Sequence, residues 1–400
     1  MKSLDDAIRV LITQARRCDR LAVEGVALGS AFGRVLAEDI TSLIDVPAYD
    51  NSQMDGYVGI AVEMNNALEP MEVSQRIPAG HPGEPLRSGT VARIFTGAPI
   101  PSGANAVVMQ EEVVLTSDGR VRLTTPIAPG HNVRARAGDL AKGQTILTKG
   151  RRLSAADVAL CASVGVKILR VVKPPTVGVF SSGDELRQPG EPLGFGQIYD
   201  SNRPMILGLA KALGCQVRDM GCLPDTREAT TAGLAEASLH CDVILTCGGV
   251  SVGEEDHIKA AISDLGSLDL WKIAVKPGKP FAFGAVGGAT LMGMPGNPVA
   301  AWLTFGLLVR PYLLARMDAE IVPLRGARAV AGFDWTSPDS RREFLRGWLD
   351  EEGVVQIHGR QNSAVLSSVT QSGGLVDIAA STPIHRGEFI RFIPYTEFLS

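Results

Sequence analysis

Thr246-Cys247-Gly248-Gly249-Val250-Ser251-Val252-Gly253-Glu254-Glu255-Asp256 sets glycines and acids side by side at the end of the apolar run Val243–Cys247. A short unbroken apolar run of this kind is the pattern of a strand buried on both faces of a parallel sheet. Glycines after such a strand let backbone N–H groups approach an anion closely, and a helix start beyond them adds positive dipole. In open α/β sheets, ligands lie at the carboxyl ends of the strands. Gly248, Gly249, Ser251 and Gly253 are therefore candidate binding positions for a phosphorylated small molecule. A plainer reading is that the glycines turn the chain while the acids complement the helix dipole, an effect worth roughly 0.3–1 kcal/mol. The charges separate the two readings. Acids repel a phosphate, since unit charges about 4 Å apart interact by about 4 kcal/mol at an effective dielectric near 20. A site holding both needs a cation between them, and magnesium suits hard oxygens while accepting few protein ligands. Asp184, Glu185 and Asp225 follow other strand ends and would join Asp256 at the same rim.

Working outward, the chain alternates strand, loop and helix on either side of this segment. Val177–Phe180 is an apolar run before Ser181-Ser182-Gly183-Asp184-Glu185, and Met205–Leu213 is a helix stopped by Gly214. A hairpin turns at Gly287-Gly288, a strand follows at Thr290–Met292, and Pro298–Ala315 closes the unit as a helix. This rhythm predicts parallel strands with helices on both faces. Lys272, Lys276 and Lys279 lie in Trp271-Lys272-Ile273-Ala274-Val275-Lys276-Pro277-Gly278-Lys279-Pro280, where alternation would put Lys272 and Lys276 on one strand face. The plain reading of these lysines is a solvated edge strand that they protect.

The flanking segments differ in character. Ser3 with Asp6 reads as a capping box, and Leu4, Ala7/Ile8, Leu11/Ile12 and Ala15 repeat at helical spacing. Arg151–Val164 is a second helical stretch with Ser154 as N-cap, and Lys173-Pro174-Pro175 punctuates the chain as a linker. Between them, Met71, Val73 and Ile77 share one face of an alternating stretch. Val113-Val114-Leu115 and Val121-Arg122-Leu123 flank a Ser117-Asp118-Gly119 turn. Near the end, Phe344, Arg346 and Trp348 alternate with Leu345, Gly347 and Leu349 before a turn at Gly353. The expected fold is an α/β core with β-rich appended domains and an elongated helical and linker domain. Its divisions are 1–44 with 140–172 (elongated), 45–139 (small β), 173–323 (α/β) and 324–400 (C-terminal β).

Bulk properties exclude several function classes. The 400 residues carry a formal charge of −4, so there is no basic footprint for nucleic acid or an anionic membrane. The start, Met1-Lys2-Ser3-Leu4-Asp5-Asp6, has acids where a signal peptide needs basic then apolar residues, and no apolar run reaches the about 20 residues of a bilayer span. Six cysteines without a Cys-x-x-Cys pair point to reduced thiols, a cytoplasmic setting and no zinc or iron–sulfur centre. Cys247 reads as a small buried apolar residue and His257 as a helix-surface residue.

Seven segments in order resemble the molybdopterin molybdenumtransferase family, that of bacterial MoeA and the gephyrin E domain. They are Asp50-Asn51-Ser52-Gln53-Met54-Asp55-Gly56-Tyr57, Phe95-Thr96-Gly97-Ala98-Pro99-Ile100-Pro101, Ser182-Gly183-Asp184-Glu185-Leu186, Tyr199-Asp200-Ser201-Asn202-Arg203, the Gly248–Asp256 loop, Lys276-Pro277-Gly278-Lys279-Pro280 and Met294-Pro295-Gly296-Asn297-Pro298. The resemblance spans nearly the whole chain, and the set is specific where each peptide alone is not. It implies an elongated homodimer of four-domain subunits with the active site in a cleft between them. The implied reaction joins molybdate to adenylylated molybdopterin, releasing AMP and molybdenum cofactor with Mg2+ assistance.

By the same resemblance, Asp55 and Thr96 face the site from the β domain of one subunit. Glu185, Asp225, Asp256, Lys272, Lys276 and Lys279 come from the α/β domain, and Pro295 and Pro298 shape the wall. Asp225, Asp256 and Glu185 are assigned to magnesium or its waters, and Asp55 to an oxygen nucleophile. Implied partners are a molybdopterin adenylyltransferase and recipient molybdoenzymes. Where the family shows Arg followed by Gly-Glu-Asp, this chain has Arg136-Ala137-Gly138-Asp139, without the glutamate. The rival readings are an adenylyltransferase acting on molybdopterin, and a scaffold of this fold that only binds.

Overall fold

The computed structural model describes residues 1–249 and 265–398. Its largest unit is a six-stranded sheet of β1 (Thr176–Ser182), β2 (Gln216–Leu223), β3 (Val243–Cys247), β4 (Gly266–Lys272), β5 (Pro280–Val286) and β6 (Ala289–Met294), in the order β2-β1-β3-β6-β5-β4. β2, β1, β3 and β6 run parallel, and β5 and β4 are antiparallel additions. β3 is buried along its whole length, as its unbroken apolar sequence requires. Val243 and Leu245 pack with helices α1 (Leu4–Arg17), α2 (Asn202–Ala212) and α4 (Pro298–Arg316), while Ile244 packs on the opposite face against Leu234 and Ala237 of α3 (Arg227–Ser238). Helices therefore cover both faces, as the alternation predicts. The expected hairpin is present, with Val286 paired to Ala289 across Gly287-Gly288.

By length and composition alone α4 is long and apolar enough to cross a bilayer, contrary to the expectation that no run reaches that length. Its most apolar window is 94% buried, because this is the central core helix of the unit. The turn Phe305–Val309 widens to a π-helix, with the Arg310 amide reaching back to the Phe305 carbonyl. Pro311 follows directly and has no amide to give the regular ladder, a usual cause of such bulges.

α1 opens on Ser3, whose hydroxyl accepts the Asp6 amide, but Asp6 answers the Ser3 hydroxyl at 2.7 Å rather than its amide. The reciprocal capping box stands instead at Ser154 and Asp157, before helix Ala155–Ser163. The small β unit is a sheet of Glu72–Ile77, Thr90–Ile94, Gly56–Gly59 and Ala106–Met109 in that spatial order. Here one expectation fails. A bulge between Val73 and Gln75 shifts the register, so Met71 and Val73 join one apolar cluster and Ile77 another. The hairpin Val113–Leu115/Val121–Leu123 is as expected.

At the C-terminal end, strands Arg342–Leu349, Val354–Ile357, Ala327–Ala331, Phe389–Pro394 and Gly374–Ile378 pair in a ring, since the first also pairs with the last. Closure removes the exposed sheet edges. The pair Val275–Lys276 adds to this ring alongside Arg342 and Glu343, so Lys276 belongs to a different sheet from Lys272 at the end of β4. The expectation that both lysines share one strand face is therefore incorrect: the chain changes sheets between them.

Leu11 is fully buried where α1 meets α4 and the sheet. Leu11→Ala is expected to destabilise this unit by about 2–5 kcal/mol through lost transfer energy and a residual cavity. A urea midpoint within error of wild type would contradict that packing.

Candidate active site

A cavity of about 740 Å³ opens at the carboxyl ends of the parallel strands. Ser181 and Ser182 of β1, Cys247 of β3, and the turns after β2 and β6 border it, with Ala364 and Leu366 contributed by the C-terminal unit. Of the predicted site residues, Glu185, Asp225, Gly248, Gly249 and Pro298 line this cavity together. Ser251, Gly253 and Asp256 lie outside the described residues, as does His257.

Short-range hydrogen bonds tie the strand ends together. The Asp225 carboxylate accepts the Ser182 hydroxyl at 3.0 Å and the Asp184 amide at 3.1 Å, while Asp184 accepts the Asp225 amide at 3.2 Å. Gly248 has φ +95°, and a Cβ there would sit 2.7 Å from the Ser182 carbonyl. Only glycine combines that left-handed backbone with so close an approach. Its amide donates to the Met294 carbonyl at 3.1 Å, so the loop after β3 is held against the end of β6. Pro295 is buried immediately behind this contact.

Beneath the cavity, buried Asp200 accepts the Ser181 hydroxyl at 2.6 Å and the Arg203 Nε at 3.0 Å. Arg203 also pairs with Asp219, and Asn202 donates to the Gly296 carbonyl at 2.6 Å. The Tyr199–Arg203 segment carries no role in the sequence pattern beyond its part in the family resemblance. Its acids and arginine brace the floor between β1, β2 and the turn after β6. Cys247 is buried there as expected, and burial pushes its thiol pKa far above the ordinary value, which rules it out as a ready nucleophile.

Lys276 borders a second cavity of about 410 Å³, made largely from the C-terminal ring. Its ammonium lies 2.9 Å from Glu343 and 3.4 Å from Asp339, and the Glu343 bond raises its pKa. Arg346 lines the same cavity and is 1% exposed, with burial lowering its pKa to about 10. Its guanidinium donates to Ser368 and to two backbone carbonyls, while Nη1 has no acceptor. No carboxylate pairs with it among the described residues. The signal is an arginine within an apolar strand, but because residues on both faces of that strand are buried, alternation assigns it no side. Lys272 and Lys279 are exposed and border neither cavity.

Asp55 and Thr96 stand apart from both cavities on the small β unit, where they are brought together. Asp55 Oδ1 accepts the Thr96 amide and hydroxyl, each at 2.8 Å. These bonds, the amide first, hold the Asp55 carboxyl below its usual pKa, with the Arg93 charge adding to the effect. Nearby, the Arg136 amide and guanidinium bond Asp50 and Asp45, at 2.7 Å and 2.6 Å. Ala137 occupies φ +58° in the segment that lacks the family's glutamate.

Comparison with known proteins matches three consecutive regions. The MoeA N-terminal region (domain I and II) matches residues 2–165, a probable molybdopterin binding domain matches 178–315, and the MoeA C-terminal region (domain IV) matches 328–395. A Haemophilus influenzae protein named molybdopterin molybdenumtransferase is 37% identical over 384 residues, covering 94% of this chain and 95% of its own. The chain belongs to the molybdopterin molybdenumtransferase family. A Mycobacterium tuberculosis molybdopterin molybdenumtransferase 2 is 34% identical, covering 94% of this chain and 95% of its own. The crystal structure of a molybdopterin biosynthesis MoeA protein from Pyrococcus horikoshii superposes with TM-score 0.84 at 29% identity, covering 99% of this chain and all of that one. The molybdopterin molybdenumtransferase fold thus extends over the whole chain, and membership gives it a role in molybdenum cofactor biosynthesis.

A carboxylate stabilised in its charged form contributes stability above its unfolded pKa and loses it as pH falls through the lowered folded value. Followed by NMR, the Asp55 carboxyl is expected to titrate below the ordinary aspartate range. Thr96→Val should move the midpoint only part of the way back, because the amide donor remains. An unchanged midpoint would show that the hydroxyl bond does not operate in solution.

Proposed function

We propose that this chain joins molybdate to adenylylated molybdopterin, releasing AMP and forming molybdenum cofactor with the help of Mg2+. The observation that carries the reading is the pairing of two unlike cavities. One lies at the carboxyl edge of the sheet, with carboxylates Glu185 and Asp225 beside the Gly248-Gly249 turn. The other holds Lys276 and the buried Arg346, whose Nη1 lacks an acceptor. An adenylylated pterin suits the first and a compact oxyanion such as molybdate the second.

Among the described residues no three acids, histidines or cysteines are grouped to hold a metal. Magnesium nonetheless fits the donor chemistry, because it accepts one or two carboxylates and takes its other ligands from water and phosphate. Glu185, Asp225 and Asp256 would hold it, and it would supply neutralisation of phosphoryl charge. The Ser182 and Asp184 bonds to Asp225 fix that carboxylate in place before any ligand arrives. The Gly248 and Gly249 turn admits the phosphate close to the main chain. No cysteine ligand is needed, since molybdenum ends on the two sulfurs of the pterin. On this reading Asp55, aligned by Thr96, orients an attacking oxygen, and reaches the cleft from the second subunit of a homodimer. The protein would act in the cytoplasm, receiving its substrate from a molybdopterin adenylyltransferase and passing product to molybdoenzymes.

The test is incubation with adenylylated molybdopterin, molybdate and magnesium, followed by quantifying AMP. Asp225→Asn should slow release about 10- to 100-fold, the usual range when the surroundings of a metal are altered. Absence of AMP above a protein-free control would sink the proposed reaction. Equal release by Asp256→Ala and wild type would remove the magnesium assignment alone.

A further inference from the structure

At the amino ends of the parallel strands, opposite the catalytic cavity, lies another polar cavity of about 560 Å³. Thr176 begins β1, Asp242 precedes β3 and Thr290 lies at the start of β6, and all three border it. The chain passes between the elongated unit and the α/β unit here twice, and α4 ends beside both crossings. The end of α1 runs into Val23–Ala27, Ile168–Val172 runs into β1, and α4 ends at Arg316. The Lys173 amide bonds the Ala22 carbonyl at 2.7 Å, and Leu21, Val172 and Met317 share one apolar cluster.

Four cations line this cavity: Arg17, Arg20, Lys173 and Arg316. Among the described residues, none lies within ion-pair distance of a carboxylate. Two acids share the lining. Asp242 is engaged through its carboxylate by the Thr176 amide at 2.7 Å, and Asp19 offers its backbone carbonyl to Arg316 at 2.9 Å. A neighbouring cavity of about 330 Å³ shares Arg20 and Arg316 and adds Arg16, together with Lys149, which pairs with Asp318 at 3.7 Å in the same lining.

Arg316 supplies the second, independent observation. It is 9% exposed, and its Nε has no acceptor. Its place in the last turn of α4 suits the helix dipole, which accounts for the charge but not for the idle donor. A buried guanidinium donor left without a partner is costly, and a bidentate oxyanion is the ligand whose geometry it matches.

We propose that this cavity binds a phosphate-class oxyanion, free or carried by a nucleotide, which ties the two chain crossings and the end of α4 together. The site uses no residue of the catalytic cavity, and the inference stands apart from the reaction proposed above.

The experiment titrates inorganic phosphate, and AMP in a separate arm, into the full-length protein at constant ionic strength by calorimetry. Wild type is compared with Arg17→Gln/Arg20→Gln/Lys173→Gln, whose three positions are exposed, and with Arg316→Lys. Wild type should take up one more equivalent of anion than the triple variant, or bind it at least tenfold more tightly. Arg316→Lys should weaken the same equivalent several-fold. Amide exchange in 18–22 and 172–176 should slow with anion in wild type only. Loss of AMP uptake without loss of phosphate uptake would support the site with a nucleotide as its source, and the converse would support free phosphate. Equal uptake of both anions by wild type and the triple variant, or none by wild type, would overturn the proposal.

Discussion

Several backbone segments converge at the carboxyl edge of the central sheet with no space to spare. The Ser182 carbonyl occupies the ground that a Gly248 side chain would need, and the Gly248 amide is bonded to Met294. Asp225 and Asp184 exchange hydrogen bonds across the ends of β1 and β2. These contacts fix the depth of the cavity, the placing of its carboxylates and the direction in which the chain leaves β3. The remaining architecture supports that edge: helices bury both sheet faces, and the Asp200–Arg203 pair braces the floor.

Under the proposed reaction, the chemistry would be divided among units of different construction. Carboxylates sit at the ends of rigid parallel strands, where a small displacement would move them away from a phosphate. The cations sit on a closed ring, where Arg346 is held by Ser368 and carbonyls and Lys276 by Glu343. Lys276 reaches that ring because the chain leaves the central sheet after Lys272 and pairs briefly with Arg342–Leu349. One short strand thereby links the central sheet to the ring.

Much of the fold was legible in local pattern. The apolar run Val243–Cys247, the Gly287-Gly288 turn, and the stop at Gly214 each express backbone or burial constraints carried by a few neighbouring residues. The sheet change between Lys272 and Lys276 was not legible, because period-two alternation is the same whichever sheet a strand joins. Nor was the bulge at Val73–Gln75, which sends Ile77 to another core. Arg346 escaped notice as a site residue because a strand buried on both faces gives alternation nothing to report.

By itself the sequence determined the α/β class, the glycine turn at an expected ligand edge and, through its ordered motifs, the family. Those properties follow from residues near one another in the chain. Tertiary structure alone decided which side chains share a cavity. Glu185, Asp225 and Pro298 meet in one, Lys276 and Arg346 in another, and Asp55 with Thr96 stand outside both. The physical reason is that cavities form where separate elements pack, so their membership depends on register, strand crossing and burial between distant segments.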